Sequence, residues 1–141
     1  FVVQASGSAA IAHAFLSGTE EIIPVKANTI ADSISVDLPR DGVRAVRAVR
    51  ETGGCYIVVK DDDIISAIGQ LGKAGIFAEP AGATSYAGLV KAVNDGIIAS
   101  SDNIVVINTG SGLKDIRAAM QAISEPIIIE PSLESLKKVI R

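Results

Sequence analysis

The part of the sequence whose residue types could carry chemistry is a short polar loop with two glycines. The loop is the stretch NTGSGLKD at 108–115, and it follows the apolar run NIVVI at 103–107. Its centre alternates hydroxyls and glycines: Thr109, Gly110, Ser111 and Gly112. Glycines let the backbone turn tightly and let a ligand come close, and ligands of open α/β sheets lie beyond the carboxyl ends of strands. The pattern therefore predicts a ligand loop, with a plain strand–helix turn as an equal alternative.

The glycine spacing of this loop differs from two common phosphate-binding loops. It has neither the GxxxxGK[ST] spacing of a P-loop nor the GxGxxG spacing of a dinucleotide loop. The start of the next helix, LKDIRAAM, adds a mildly positive end to the loop. Spacing and helix end together leave the identity of the ligand open.

The elements that must position the loop alternate between strand-like and helix-like segments. Strands are predicted at FVVQA (1–5), CYIVV (55–59), NIVVI (103–107) and PIIIE (126–130), and EIIPVKA (21–27) is strand-like but contains Pro24. Helices are predicted at 9–18, 41–54, 62–75, 84–96, 113–124 and 132–140, with a short helix at 29–34 and an extended connection at 76–83. Such alternation predicts one α/β domain over 1–141, three-layer α/β/α with a mostly parallel sheet and right-handed crossovers.

Apolar stripes on three helices indicate which faces pack on the sheet. The stripes are Val43/Val46/Val49, Ile64/Ile68/Leu71 and Ile116/Met120/Ile123. Asp41 and Ser132 are the expected N-caps of their helices, and Gly18 is the expected stop of the first helix.

Composition excludes several classes of protein. The net charge of −3 over 141 residues gives no basic surface for nucleic acid. Cys55 is the single cysteine, so no disulfide can form within the chain, and a zinc site is disfavoured. No apolar run approaches the roughly 20 residues that cross a membrane, and no signal peptide is visible. We therefore expect a cytoplasmic protein, and the abrupt start in a strand suggests a fragment of a longer one.

Two motifs together resemble a known family. The segment GIFAEPAGATSYAGLVKAV (75–93), followed by VVINTGSGLKD (105–115), resembles the C-terminal part of threonine synthases. These are pyridoxal-phosphate enzymes of the tryptophan-synthase-β-like fold, also called fold type II. The upstream ETGGCYIVVKDDDII (51–65) is similar to the family's E-GG turn, strand and acidic helix start. The resemblance covers residues 1–115 and implies pyridoxal 5′-phosphate as cofactor and a portion of the large domain as fold.

The resemblance also implies roles for residues of the loop. Thr109 matches the hydroxyl that hydrogen-bonds the pyridine nitrogen of the cofactor, and Gly110 and Gly112 match the glycines that shape the loop. Ser111 stands where the family often has another residue, so it receives no role. Glu79 matches the acid of the family's EPA segment, although as a residue it is more simply a carboxylate that caps the following helix.

Two parts of the family's site have no match in the sequence. The lysine that binds the cofactor covalently lies in an S-KDR segment in the family, and neither this segment nor the Gly/Asn-rich phosphate cradle occurs here. Lys114 belongs to GLKD and is expected to be a helix-start or surface charge. No catalytic or metal-binding residue is therefore assigned, and His13 and the Arg44/Arg47/Arg50 stripe are interpreted as structural or solvated.

The resemblance implies a pyridoxal-phosphate-dependent lyase that converts O-phosphohomoserine and water to threonine and phosphate. As a C-terminal fragment the chain would be inert alone. The substrate is expected to be a small amino-acid phosphate ester, with no nucleic-acid or membrane partner, and the complete enzyme is expected to be a homo-oligomer. The alternatives are a relative that makes cysteate from phosphoserine and sulfite, and a non-catalytic α/β module that binds a ligand through NTGSG.

Overall fold

This computed structural model describes residues 1–123 and 127–140, which contain two strands, six helices and three 3-10 turns joined by irregular segments. In chain order the elements are β1 (Val2–Ala5), α1 (Ala10–Leu16), α2 (Gly42–Glu51), β2 (Tyr56–Val59), α3 (Asp61–Lys73), α4 (Pro80–Asn94), α5 (Ile116–Gln121) and α6 (Leu133–Val139). The 3-10 turns are Ser6–Ser8, Asp32–Ile34 and Gly112–Lys114.

The sheet at the centre is parallel and is covered on both faces. Strands β1 and β2 pair in parallel, with Val2 opposite Tyr56. Because side chains alternate across a strand, Tyr56 faces a cluster that includes residues of α1 and α2, whereas Ile57 and Val59 face the main core with α3 and α4. The three-layer α/β/α prediction is confirmed, and the strands FVVQA and CYIVV lie in one parallel sheet as predicted.

An aromatic pair fills the layer between the sheet and α1. The rings of Phe15 and Tyr56 lie with their centroids 5.1 Å apart. The hydroxyl of Tyr56 has no hydrogen-bond partner among the described residues. Burial raises the pKa of this phenol, because the ionised form loses its hydration.

The chain between α1 and α2 covers the carboxyl ends of both strands. After β1, the buried Ser8 donates its hydroxyl to the carbonyl of Ile34 and accepts the backbone N–H of Val36. After β2, the carboxylate of Asp61 accepts the backbone N–H of Ile30 at 3.0 Å. These side chains hold residues 28–36 across the strand ends.

Several helix ends match the sequence prediction. Helix α1 ends before Gly18, which has a φ of 74°, and the hydroxyl of Ser132 accepts the N–H of Ser135 at the start of α6. Asp41 precedes α2, but it makes no capping hydrogen bond and lies 3.6 Å from Arg44 instead. Asp41 therefore occupies the predicted N-cap position of α2, but its side chain does not make the hydrogen bond of a cap.

Two strand predictions are wrong. Residues 103–107 and 127–130 have no strand structure, and residue 126 lies outside the described residues. A strand needs a hydrogen-bonded neighbour, and within the described ranges the sheet contains β1 and β2 alone. The apolar, β-branched composition of a run does not say which strand it would pair with. The run at 103–107 has no such partner in the described ranges, and Val105 in it is 88 % exposed. The strand-like segment 21–27 is likewise irregular.

Some helix predictions also need correction. Helix α4 begins at Pro80 rather than at Thr84, since proline suits the first helical turn. Helix α5 is short, and its predicted stripe Ile116/Met120/Ile123 is exposed while Ala118 is buried. In α2, Val46 and Val49 are buried but Val43 is 39 % exposed, because steps of three fall short of the 3.6-residue turn. The short helix predicted at 29–34 is a 3-10 turn over Asp32–Ile34.

The arginine stripe of α2 is partly paired rather than only solvated. Arg47 contacts Glu20 at 2.6 Å, and Arg50 lies 3.5 Å from the same carboxylate. The hydrogen bond from Arg47 lowers the pKa of Glu20.

Of the helices in the described ranges, none has the length and apolarity needed to cross a membrane, and the same ranges hold no metal-binding cluster of His, Cys, Asp or Glu.

Replacing Gly88 with alanine should destabilise the chain. Helix α4 packs so closely on β1 that a Cβ on Gly88 would lie 2.2 Å from the side chain of Val3. Overpacking of this kind costs about 1–3 kcal/mol. Gly72→Ala in α3 is the matched control, because nothing lies within 4 Å of its Cβ position, and alanine is favoured over glycine in a helix by about 1 kcal/mol. Urea unfolding should separate the two variants in opposite directions, and equal stabilities would contradict this packing.

Candidate functional site

Residues 107–112 are fastened to residues 77–85 along a line of contacts that we call the loop seam. The backbone N–H of Glu79 donates to the carbonyl of Gly110 at 3.1 Å, and that of Gly112 donates to Phe77 at 2.9 Å. Ala78 and Ser111 form an isolated antiparallel bridge between these two bonds. The hydroxyl of Ser85 donates to the carbonyl of Ile107 at 2.9 Å. The polar loop is therefore fixed to the start of α4.

Glycines allow the two segments of the loop seam to approach this closely. A Cβ on Gly110 would lie 1.8 Å from Oε1 of Glu79, and one on Gly112 would lie 2.4 Å from the ring of Phe77. From the other side, a Cβ on Gly82 would lie 2.1 Å from Oδ1 of Asn108. No room for a side chain exists at these three positions. The glycines therefore serve the packing of the loop, whatever else they contact.

Thr109 is exposed and lies between Ile107 and Gly110, whose carbonyls both accept hydrogen bonds from the start of α4. Its side chain makes no hydrogen bond within the described residues, while Gly110 after it accepts the N–H of Glu79. The sequence placed Thr109 at the end of a sheet strand, but the residues before it have no strand structure. The loop seam therefore presents its hydroxyl, and the polar group is available to a ligand.

Glu79 is a buried carboxylate at the N-cap position of α4. Its side chain is 6 % exposed, and its Oε1 lies 3.3 Å from Nζ of Lys114. Its backbone carbonyl accepts the N–H of Ala83, but its side chain makes no capping hydrogen bond. The predicted position at the helix start is confirmed, and the predicted capping bond is wrong because the carboxylate turns to the loop.

The rest of the loop forms a 3-10 turn that leads into α5. The hydroxyl of Ser111 accepts the N–H of Leu113 at 3.3 Å, and the carboxylate of Asp115 accepts the N–H of Ala118 at 2.9 Å. Lys114 is 61 % exposed and pairs with Glu79. Ser111, which received no role from the sequence, therefore caps the turn, and Lys114 is more than a free surface charge.

A cavity of about 180 Å³ lies beside the pair of Glu79 and Lys114. Its other walls include Pro80 and Ala81 at the start of α4, and Ile30, Asp32 and Ser33 from the segment over the strand ends. Sequence reasoning missed Asp32 and Ser33 as neighbours of this region, because the path of an irregular segment leaves no periodic signal. His13 is exposed and Cys55 half-buried, and neither lines the cavity.

Comparison with a family model matches most of the chain. Residues 1–110 match the model of the family described as pyridoxal-phosphate dependent enzyme. The match includes the whole sheet, α1 to α4 and the loop as far as Gly110.

Curated relatives extend the similarity to nearly the full chain. A protein named threonine synthase from Methanocaldococcus jannaschii is 42% identical over 141 residues, covering 99% of this chain and 35% of that protein. Another threonine synthase, from Methanosarcina acetivorans, is 35% identical over 140 residues, covering 98% of this chain and 35% of that protein. The chain thus spans about a third of the length of the relatives that it matches.

A solved structure shares the fold. The structure of maize serine racemase superposes with a TM-score of 0.60 at 24% identity, covering 83% of this chain and 36% of that chain. At this identity the similarity concerns the fold alone.

Gly110→Ala should destabilise the chain through Glu79. The new methyl group would overlap the carboxylate of Glu79, and the cost is expected to be about 1–3 kcal/mol in urea unfolding. In a Glu79→Ala background the overlapping atoms are absent, so the same change should cost at least about 0.5 kcal/mol less.

The Gly72→Ala change provides the control for this cycle, because nothing lies within 4 Å of that position. Its effect should be the same in both backgrounds. If Gly110→Ala were also additive with Glu79→Ala, Glu79 and Gly110 would not be in contact.

Proposed function

Because the chain belongs to the family of pyridoxal-phosphate dependent enzymes, we propose that it is the C-terminal part of a lyase resembling threonine synthase. The observation that carries the proposal is the hydroxyl of Thr109, which the loop seam presents without a protein partner in the described residues. The similarity to two threonine synthases over almost the whole chain supports the same assignment.

The residues present fit a contact with the cofactor ring. An exposed hydroxyl can donate a hydrogen bond to a pyridine nitrogen or accept one from it. Gly110 and Gly112 keep the backbone beside Thr109 packed closely against Glu79 and Phe77. We therefore propose that Thr109 binds the ring nitrogen and that Gly110 and Gly112 shape the wall beside it.

A hydroxyl at this position favours one type of chemistry. Bound pyridoxal phosphate supplies an electron sink for reactions at the carbons of an amino-acid substrate. A carboxylate beside the ring nitrogen would hold that nitrogen protonated, whereas the neutral Thr109 does not favour the charged form. This limits the electron demand of the ring and suits elimination and replacement at side-chain carbons.

The proposed reaction is the conversion of O-phosphohomoserine and water to threonine and phosphate. The complete enzyme would act on this small phosphate ester as a homo-oligomer in the cytoplasm. The lysine that binds the cofactor and the phosphate cradle would come from a part of the protein outside residues 1–141. Exposed apolar side chains such as Val105 and Ile128, at 88% and 94%, support the presence of further contacts in the complete protein.

Thr109→Ala in the complete protein should lower turnover about tenfold, the effect of one lost hydrogen bond to the ring. The covalent attachment of the cofactor should persist, because that bond is made elsewhere. Thr109→Ser should restore most of the turnover, and Ser101→Ala, at an exposed serine outside the loop, is the control for removal of a hydroxyl and should leave turnover unchanged. Full turnover in Thr109→Ala would show that the Thr109 hydroxyl makes no functional contact with the cofactor.

The 141-residue chain alone should not bind the cofactor covalently. After incubation with pyridoxal phosphate and reduction with borohydride, mass spectrometry should find no single lysine that is modified stoichiometrically. Lys114 is the critical position, because it is 61 % exposed and next to the loop. Stoichiometric modification of Lys114 would show that the covalent lysine lies within this chain and would overturn the assignment.

A further inference from the structure

The burial of Glu79 has no explanation within its own helix. Its side chain is 6 % exposed, and an ionised carboxylate is costly to bury unless it is paired and hydrogen-bonded. A residue at an N-cap often meets this need through backbone N–H groups of the first turn, but Glu79 makes no such bond. Contacts outside α4 must therefore hold the carboxylate.

The polar contacts that Glu79 makes outside α4, among the described residues, lie on the polar loop. Oε1 of Glu79 pairs with Nζ of Lys114 at 3.3 Å. The same oxygen is so close to Gly110 that a Cβ on this glycine would lie 1.8 Å from it. The backbone N–H of Glu79 donates to the carbonyl of Gly110. One residue thus fastens the loop at two points, directly after Thr109 and again at Lys114.

We infer that Glu79 is a positioning residue that fixes the Thr109 hydroxyl towards the cofactor through Gly110 and Lys114, an inference that rests on the proposed function. Thr109 makes no hydrogen bond of its own among the described residues. Its orientation therefore depends on the backbone on either side of it, and the part that follows it is held by Glu79. Glu79 acts through the loop, and it is not a catalytic residue.

The two members of the ion pair should respond differently to substitution. In Glu79→Gln the shape is kept, and Lys114, at 61 % exposed, can return its charge to water. In Lys114→Met the carboxylate of Glu79 stays buried without its partner, which is the costlier change. The loop should therefore be disturbed more by Lys114→Met than by Glu79→Gln.

The first test measures the loop without the cofactor. Hydrogen exchange of the complete protein should be followed in the peptide that covers residues 108–115. Glu79→Gln should accelerate exchange there about tenfold, and Lys114→Met should accelerate it more. Glu134→Gln in the exposed start of α6 is the control and should leave the exchange of this peptide unchanged. If Glu79→Gln fails to fold, Lys114→Met carries the same test.

The second test measures the bound cofactor at equal loading. Glu79→Gln and Thr109→Ala should shift its absorption spectrum in the same direction. The double variant should shift it no more than Thr109→Ala alone, because Glu79 acts through Thr109. A merely structural Glu79 would lower the melting temperature and leave the spectrum of the loaded protein as it is.

The outcomes separate the inference from the function on which it rests. Unchanged exchange at 108–115 in both charge variants would overturn the positioning role, whatever the protein binds. Full additivity of Glu79→Gln and Thr109→Ala in the spectrum would overturn it as well, since Glu79 would then act on the cofactor separately. Faster exchange at 108–115 in charge variants of a protein that binds no cofactor would contradict the proposed function. The orientation of Thr109 towards a cofactor would be contradicted with it, while the role of Glu79 in holding the loop would be supported.

Discussion

The contact of Glu79 with the backbone at Gly110 is the constraint on which the site depends. Two segments distant in sequence come so close there that no side chain fits between them. The backbone bonds from Glu79 and Gly112 close this contact on either side. The start of α4 is buried in the main core. The loop is hydrogen-bonded to this start and is therefore held in place by the core. An exposed threonine on an otherwise irregular stretch thus acquires a defined position.

This arrangement links the parallel sheet to the site through α4. Strand β1 packs on α4 at Gly88 and Val3, and the first turn of α4 carries Glu79 and Gly82 to the loop. A family model matches residues 1–110, the part of the chain that contains this entire path. The same fold occurs in maize serine racemase at low identity.

Periodic features and the parallel pairing of β1 with β2 were predictable from the sequence, whereas the lack of pairing at 103–107 and 127–130 was not. The stripe of Ile64, Ile68 and Leu71 gave α3 and its buried face correctly. The run at 103–107 has the composition of a strand but no hydrogen-bonded neighbour in the described ranges. Composition records what a segment can form, while its neighbour is fixed by tertiary structure. The exposed stripe of α5 fails for the same reason, since no described element covers it.

The sequence indicated the residue types of the candidate site but not the contacts among them. The role of Thr109, Gly110 and Gly112 at a cofactor stays a prediction from the sequence. The closeness of Glu79 to Gly110 and Lys114 is seen only in the structure, because it depends on long-range packing that no local spacing encodes. The most direct measurement of the loop seam is the NMR scalar coupling across its hydrogen bonds in the labelled chain. A coupling from the amide nitrogen of Glu79 to the carbonyl carbon of Gly110, with slow exchange of the Glu79 amide, is the expected result. Absence of this coupling together with exchange at the rate of an unstructured peptide would contradict the claim that α4 holds the loop.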